Sequence, residues 1–143
     1  MAQLGIKHYR FSISWARILP NAHAGSSVNA QGVAFYNNLI NELIKNDITP
    51  YVTLYHWDLP TQLQDSYNGF ADQNRNLVAD FAYYADVCFN AFGNRVKVRA
   101  AGGAVQAALA GALEAGVCHL PPGQSERVPK HASMSAHGDK REP

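Results

Sequence analysis

YRFSISW, Tyr9 to Trp15, alternates along its length: Tyr9, Phe11, Ile13 and Trp15 share one face, and Arg10, Ser12 and Ser14 share the other. A period of two predicts a β-strand with unlike faces. Downstream, PNAHAGSSVN (Pro20 to Asn29) is rich in turn formers and ends on an asparagine suited to capping a helix. Val33, Tyr36, Leu39, Ile40, Leu43 and Ile44 then recur at helical spacing, which predicts an amphipathic helix over Ala30 to Lys45 with Glu42 and Lys45 off its apolar stripe. Pro50 opens a second predicted strand, Tyr51 to Trp57, which ends in the polar chemistry of His56 and Asp58. A loop to about Gln73 precedes a second helix from Asn76, with Leu77, Phe81, Tyr84, Ala85, Cys88 and Phe92 on one side and Gly93 as its C-cap. Asn94 to Lys97 leads toward a third strand that the pattern shows as cut off.

Strand, helix, strand, helix with helices of about four turns implies an α/β fold of parallel strands joined by right-handed crossovers. A doubly wound sheet and a (β/α)8 barrel both satisfy that order. The polar face of Arg10, Ser12 and Ser14 favours the barrel, because it suits a water-accessible lumen, whereas a doubly wound sheet buries both faces of its strands. No glycine-rich phosphate loop joins strand to helix, which disfavours a nucleotide site.

All fifteen aromatic residues lie at or before Phe92 of the 143-residue chain, and this marks a boundary. From Val98 the composition turns Ala-Gly rich (AAGGAVQAALAGALEAG) and then Pro, Ser, His and charge rich (PPGQSERVPKHASMSAHGDKREP). The expected division is therefore 1–97, two βα units of a partial TIM barrel, and 98–143, a non-homologous and largely disordered tail. Alanine side chains bury too little area to offset the entropy of ordering such a tail. A net charge of +1 without runs of one sign leaves no footprint for nucleic acid or an anionic membrane surface. The N-terminus has no basic region followed by an apolar run, so no secretory signal is read. Ala100 to Val117 is too interrupted to span a membrane. Cys88 and Cys118 define neither a disulfide framework nor a metal spacing, and Cys118-His119 lacks convergent ligands, so no metal or cofactor is expected. Compartment and oligomeric state stay open.

Three ordered stretches carry a more specific signal: LGIKHYRFSISWARILPN (Leu4 to Asn21), VNAQGVAFYNNLINELIKNDITPYVTLYHWDLP (Val28 to Pro60) and DFAYYADVCFNAFGNRVK (Asp80 to Lys97). Together they closely resemble family 1 glycoside hydrolases of the β-glucosidase type over about Met1 to Lys97, roughly a quarter of a full family barrel. The resemblance implies a retaining mechanism, in which one glutamate attacks the anomeric carbon and a second, about 5–5.5 Å away, serves as acid and then base. The family's acid/base glutamate lies in a Thr-Phe-Asn-Glu-Pro type motif shortly after the position matching Lys97. This chain reads Val98, Arg99, Ala100, Ala101, Gly102, Gly103 there. Before Val98 the only glutamate is Glu42, in mid-helix, and Glu142-Pro143 is a chance match in the tail. No catalytic residue is therefore assigned.

The resemblance carries three residues across. His56 and Trp57 match the pair that helps bind the non-reducing sugar of a β-glucoside or oligosaccharide, and Arg10 matches the arginine that holds the nucleophile. On the residues alone, His56 reads as a structural histidine and Trp57 as core, Asp58 as a loop-fixing acceptor, and Arg17 as pairing near the strand end. The resulting expectation is an inactive enzyme fragment of marginal stability, with its tail joined by a frameshift, retained intron or splice event. The competing readings are a non-catalytic carbohydrate-binding or interaction product and an unrelated nucleotide-binding α/β domain.

Overall fold

In the computed structural model, which describes residues 1–96 and the backbone of 98–101, three parallel strands alternate with helices. After a 3-10 turn at Ala2–Leu4 come β1 (His8–Ser12), α1 (Trp15–Ile18), α2 (Ala30–Lys45), β2 (Thr49–Tyr55) and α3 (Thr61–Tyr67). A second 3-10 turn (Gly69–Ala71), α4 (Asn76–Phe92) and β3 (Val98–Ala101) complete the described order. The sheet runs β1-β2-β3, each neighbouring pair parallel, which is the topology of a partial βα barrel. The expected disorder of the tail falls outside the described residues.

Both long helices begin and end where the periodicity places them. Asn29 caps α2 by accepting the Gln31 N–H at 3.1 Å. The start of α4 is held from outside, by Asp72, whose carboxylate accepts the Leu77 N–H at 2.9 Å. At its other end Gly93 occupies the C-cap, as read from the sequence, in a right-handed conformation (φ −59°, ψ −27°), its N–H closing an ordinary helical bond to Phe89 O at 2.9 Å.

The strands differ from expectation in three ways. The first ends at Ser12 and not at Trp15: Ile13 still donates its N–H to Thr53 O at 2.9 Å, but the Ser14 N–H turns to the Tyr36 hydroxyl at 2.8 Å, and α1 begins. The second starts at Thr49, two residues early, because the Thr49 N–H donates to Lys7 O at 2.8 Å, and it stops at Tyr55 ahead of Trp57, whose φ of 68° ends the extended run. The third, expected to be cut off, is present: Val98–Ala101 pairs with Tyr51 to Tyr55, so the sheet continues past Lys97 and the outer edge of β2 is paired. Arg95 ties the α4–β3 turn to α2, donating to Asn41 Oδ1 at 2.7 Å and to Asn37 Oδ1.

The apolar core lies between the sheet and α2 and α4. Ile13, Val52 and Leu54 meet Tyr36, Ile40, Phe81, Tyr84, Cys88, Phe89 and Phe92 there. Trp15, expected on a strand face, enters this core from the first turn of α1, stacked on Tyr84 at 4.9 Å and 5°. The Tyr84 hydroxyl lies 3.0 Å from Ile13 O, just past β1, and 2.9 Å from Leu54 O on β2, so its single proton is shared between carbonyls at the ends of neighbouring strands. Burial pushes the Cys88 thiol up to about 12, which keeps it protonated and chemically quiet.

One close approach fixes how α1 sits on α2. A Cβ added at Gly32 would lie 2.2 Å from the Arg17 carbonyl oxygen, a backbone atom that cannot step aside. Gly32→Ala is therefore expected to destabilise the chain by roughly 1–3 kcal/mol despite alanine's better helix propensity. A lowered urea midpoint at unchanged m-value checks it.

Candidate functional site

Side chains alternate along a strand, and neighbours in parallel register share a face. With Arg10 beside Tyr51 and Ser12 beside Thr53, one face of β1-β2 carries His8, Arg10, Ser12, Tyr51, Thr53 and Tyr55, opposite the helix-covered face. Arg10 is level with Tyr51, yet its Nε donates to Thr53 Oγ1 at 3.1 Å. The side chain thus leans two residues along the sheet toward the carboxyl ends of the strands, the end at which barrel sites assemble. Thr53 is buried beneath it, a polar side chain satisfied by that one bond.

At the end of β2 the chain turns sharply. Trp57 is in the left-handed region and 81% exposed, an unusual combination for a bulky side chain. Asp58 holds the turn by accepting the His56 N–H at 3.1 Å. Tyr55 is buried underneath, edge-on to Trp57 at 6.3 Å and to Phe70 at 5.5 Å. Burial, with the nearby Asp58 charge, raises its phenol above the ordinary range, so Tyr55 stays a neutral donor and acceptor.

His56 and Trp57 therefore stand side by side at a strand end, exposed, and Arg10 points along the neighbouring strand toward that end. Neither residue of the pair is core. Asp58 fixes the loop. Arg17 has no acidic partner among the described residues and instead lies over the Phe35 ring at 4.6 Å. Glu42 sits exposed on α2, where Asn46 Nδ2 donates to it at 2.9 Å and Lys45 Nζ lies 3.7 Å away. Among the described residues no group of three or more His, Cys, Asp or Glu is placed to hold a metal, and no described helix is long and apolar enough to cross a membrane. Cys118, His119, Glu142 and most of the Ala100 to Val117 segment lie outside the described residues.

A second polar cluster has no local signature in the sequence. Asp80, 6% exposed on α4, accepts from His23 Nδ1 at 2.9 Å, from the Tyr67 hydroxyl at 2.9 Å and from the Ala24 N–H at 2.6 Å. Ser66 Oγ lies 3.2 Å from His23 Nε2. Burial and the Asp80 carboxylate push the Tyr67 phenol far above its ordinary range, so it remains a donor. The members come from three separate segments, and only the fold brings them together.

A parallel βα sheet whose polar and aromatic residues gather toward the carboxyl ends of its strands defines the class: part of a TIM-type barrel. Residues 1–141 match the glycosyl hydrolase family 1 profile, and the chain belongs to that family. The match runs beyond Lys97, where the sequence resemblance was placed to end. An isoflavonoid 7-O-β-apiosyl-glucoside β-glycosidase of Dalbergia nigrescens is 56% identical over 97 residues, 68% of this chain and 17% of the relative. Among solved structures, a rice β-glucosidase superposes with a TM-score of 0.66 at 51% identity, covering 71% of this chain and 20% of that one. The Thermotoga maritima β-glucosidase in complex with deoxynojirimycin gives 0.64 at 48% identity, covering 70% and 22%. The chain thus spans about a fifth of the length of the proteins it matches.

Proposed function

We propose that this chain carries part of the glycone-binding wall of a retaining β-glucosidase and does not itself hydrolyse glycosides. His56 supplies a ring nitrogen to a sugar hydroxyl, Trp57 an apolar face to sugar C–H groups, and Arg10 a cation aimed where a nucleophilic carboxylate would stand. The observation that carries the reading is Trp57: a bulky residue in left-handed backbone stores strain of order 1–3 kcal/mol, and such strain persists mainly where function holds it. The substrate class is a β-glucoside or oligosaccharide, as the names of the relatives suggest. Residues 1–97 are proposed to form the barrel-derived unit and 98–143 a segment of different origin, although its first four residues pair with β2 and the family match extends through it.

Hydrolysis with retention needs two carboxyl groups about 5–5.5 Å apart, one ionised and one protonated. Glu42, the sole glutamate before Val98, lies on α2 and engages Lys45 and Asn46. The chain purified to homogeneity is accordingly expected to release no aryl alcohol from a p-nitrophenyl β-glucoside above the buffer rate. Turnover that co-purifies with it through successive columns would overturn the proposal. A second reading, sugar binding without cleavage, draws on the same exposed indole. A glucoside titration separates the two: a saturable change in Trp57 emission favours binding, and a flat response favours an incomplete pocket.

A further inference from the structure

The Ser66, His23 and Asp80 cluster plays no part in the strand-end wall, and its geometry is directional. Asp80 as a carboxylate can only accept, so the 2.9 Å contact places a proton on His23 Nδ1. In the neutral ring Nε2 then carries a lone pair, and the Ser66 hydroxyl, 3.2 Å away, must donate to it. The Tyr67 hydroxyl and the Ala24 N–H lock the carboxylate from the other directions, which fixes the tautomer. Ser66 is exposed on α3 and open to a reactant, whereas Asp80 is buried. A hydroxyl donating to a base that a third group orients is the arrangement of an activated nucleophile.

We propose that Ser66 is a base-activated nucleophile that accepts an acyl group from activated esters, with His23 as general base and Asp80 as its positioning residue. Ser66 Oγ attacks the acyl carbon while its proton passes to His23 Nε2. The ester C–O bond then breaks, the phenolate leaves, and the proton is released to solvent. Backbone N–H groups around Ser66 are committed to the hydrogen bonds of α3, so the site offers base assistance without an oxyanion hole. Base assistance contributes roughly 10²–10⁴-fold, and the expected event is a single acylation with little turnover.

The test treats the whole chain with p-nitrophenyl acetate and follows p-nitrophenolate release, intact mass and peptide maps. One acetyl group is expected on the peptide holding Ser66, absent in Ser66→Ala and formed about 10²-fold more slowly in His23→Gln. The acylation rate is expected to rise with pH through one deprotonation, a dependence that His23→Gln removes and that Asp80→Asn also removes, because the His23 ring then carries its proton on Nε2 and has no lone pair for Ser66. A staple that merely holds the loop would show none of this pH dependence. Acetyl groups on other residues with Ser66 unmodified, or equal rates in wild type and His23→Gln, would overturn the proposal. Ser66→Ala and His23→Gln alter side chains at the surface, Ser66 exposed and the His23 side chain 40% exposed, and matching far-UV circular dichroism checks that all three variants fold.

Discussion

Trp15→Ala is expected to remove roughly 3–5 kcal/mol of stability, a large share of the 5–15 kcal/mol that ordinary domains possess. Trp15 is 1% exposed, its ring stacks on Tyr84, and Phe81 meets it edge-on at 5.5 Å. Its indole Nε1–H also donates to Ala22 O at 3.1 Å, at a buried residue held at a φ of 61°. Truncation therefore opens a cavity in the aromatic stack and strips a buried carbonyl of its donor at the same turn. Trp15→Phe keeps an aromatic ring in the stack but not the donor, and it is expected to lose less. Far-UV circular dichroism with urea titration measures both. Emission supplies a second readout, because the remaining Trp57 is 81% exposed, so the alanine variant should emit only from a water-exposed indole.

The parts legible in the sequence were those governed by local periodicity. Helices α2 and α4 fall on their predicted limits because their apolar residues recur every three or four positions, with Asn29 capping the start of α2 and Gly93 closing α4. The alternation that predicts the first strand runs three residues beyond its observed end at Ser12. Ile13 and Trp15 keep the alternating burial of a strand after the backbone has begun to turn, since Trp15 reaches the same core from the start of α1. A burial pattern reports which side a residue faces, not which backbone takes it there. Helix α3 was missed because its seven residues contain only Leu63 as a buried anchor and Pro60 at the N-cap offers no side-chain acceptor. The third strand lies where the composition had already changed, and its place comes from pairing with β2, a non-local interaction.

The candidate site divides along the same line. His56, Trp57 and Asp58 are consecutive, so a strand end followed by a polar turn could be read directly. Arg10 could be assigned to the polar face, but its lean toward Thr53 depends on register between strands. The His23 cluster was invisible, because its contacts span 43 and 57 positions and each member alone reads as an ordinary loop or helix residue.

Asp80→Ala is expected to destabilise the chain by roughly 2–4 kcal/mol, since it strips several donors of their acceptor at once. The Ala24 N–H, the Tyr67 hydroxyl and His23 Nδ1 all converge on one carboxylate, and between them they attach the loop after α1 to α3 and α4. The loss should fall short of three independent bonds, because the His23 side chain is 40% exposed and can turn to water. Asp80→Asn is expected to lose less, since its amide oxygen can still accept from one donor, and its NH2 can face His23 once the ring shifts its proton to Nε2. Hydrogen exchange distinguishes local from global failure. If the carboxylate is the anchor of this loop, amide protection at Ala24 should fall in both variants, while the buried segment of α4 around Tyr84 and Cys88 stays protected in Asp80→Asn. Unchanged protection at Ala24 in Asp80→Ala would mean that the loop is held by other contacts, chief among them the Trp15 indole on Ala22 and the Tyr83 hydroxyl, which donates to Ser26 O at 3.1 Å.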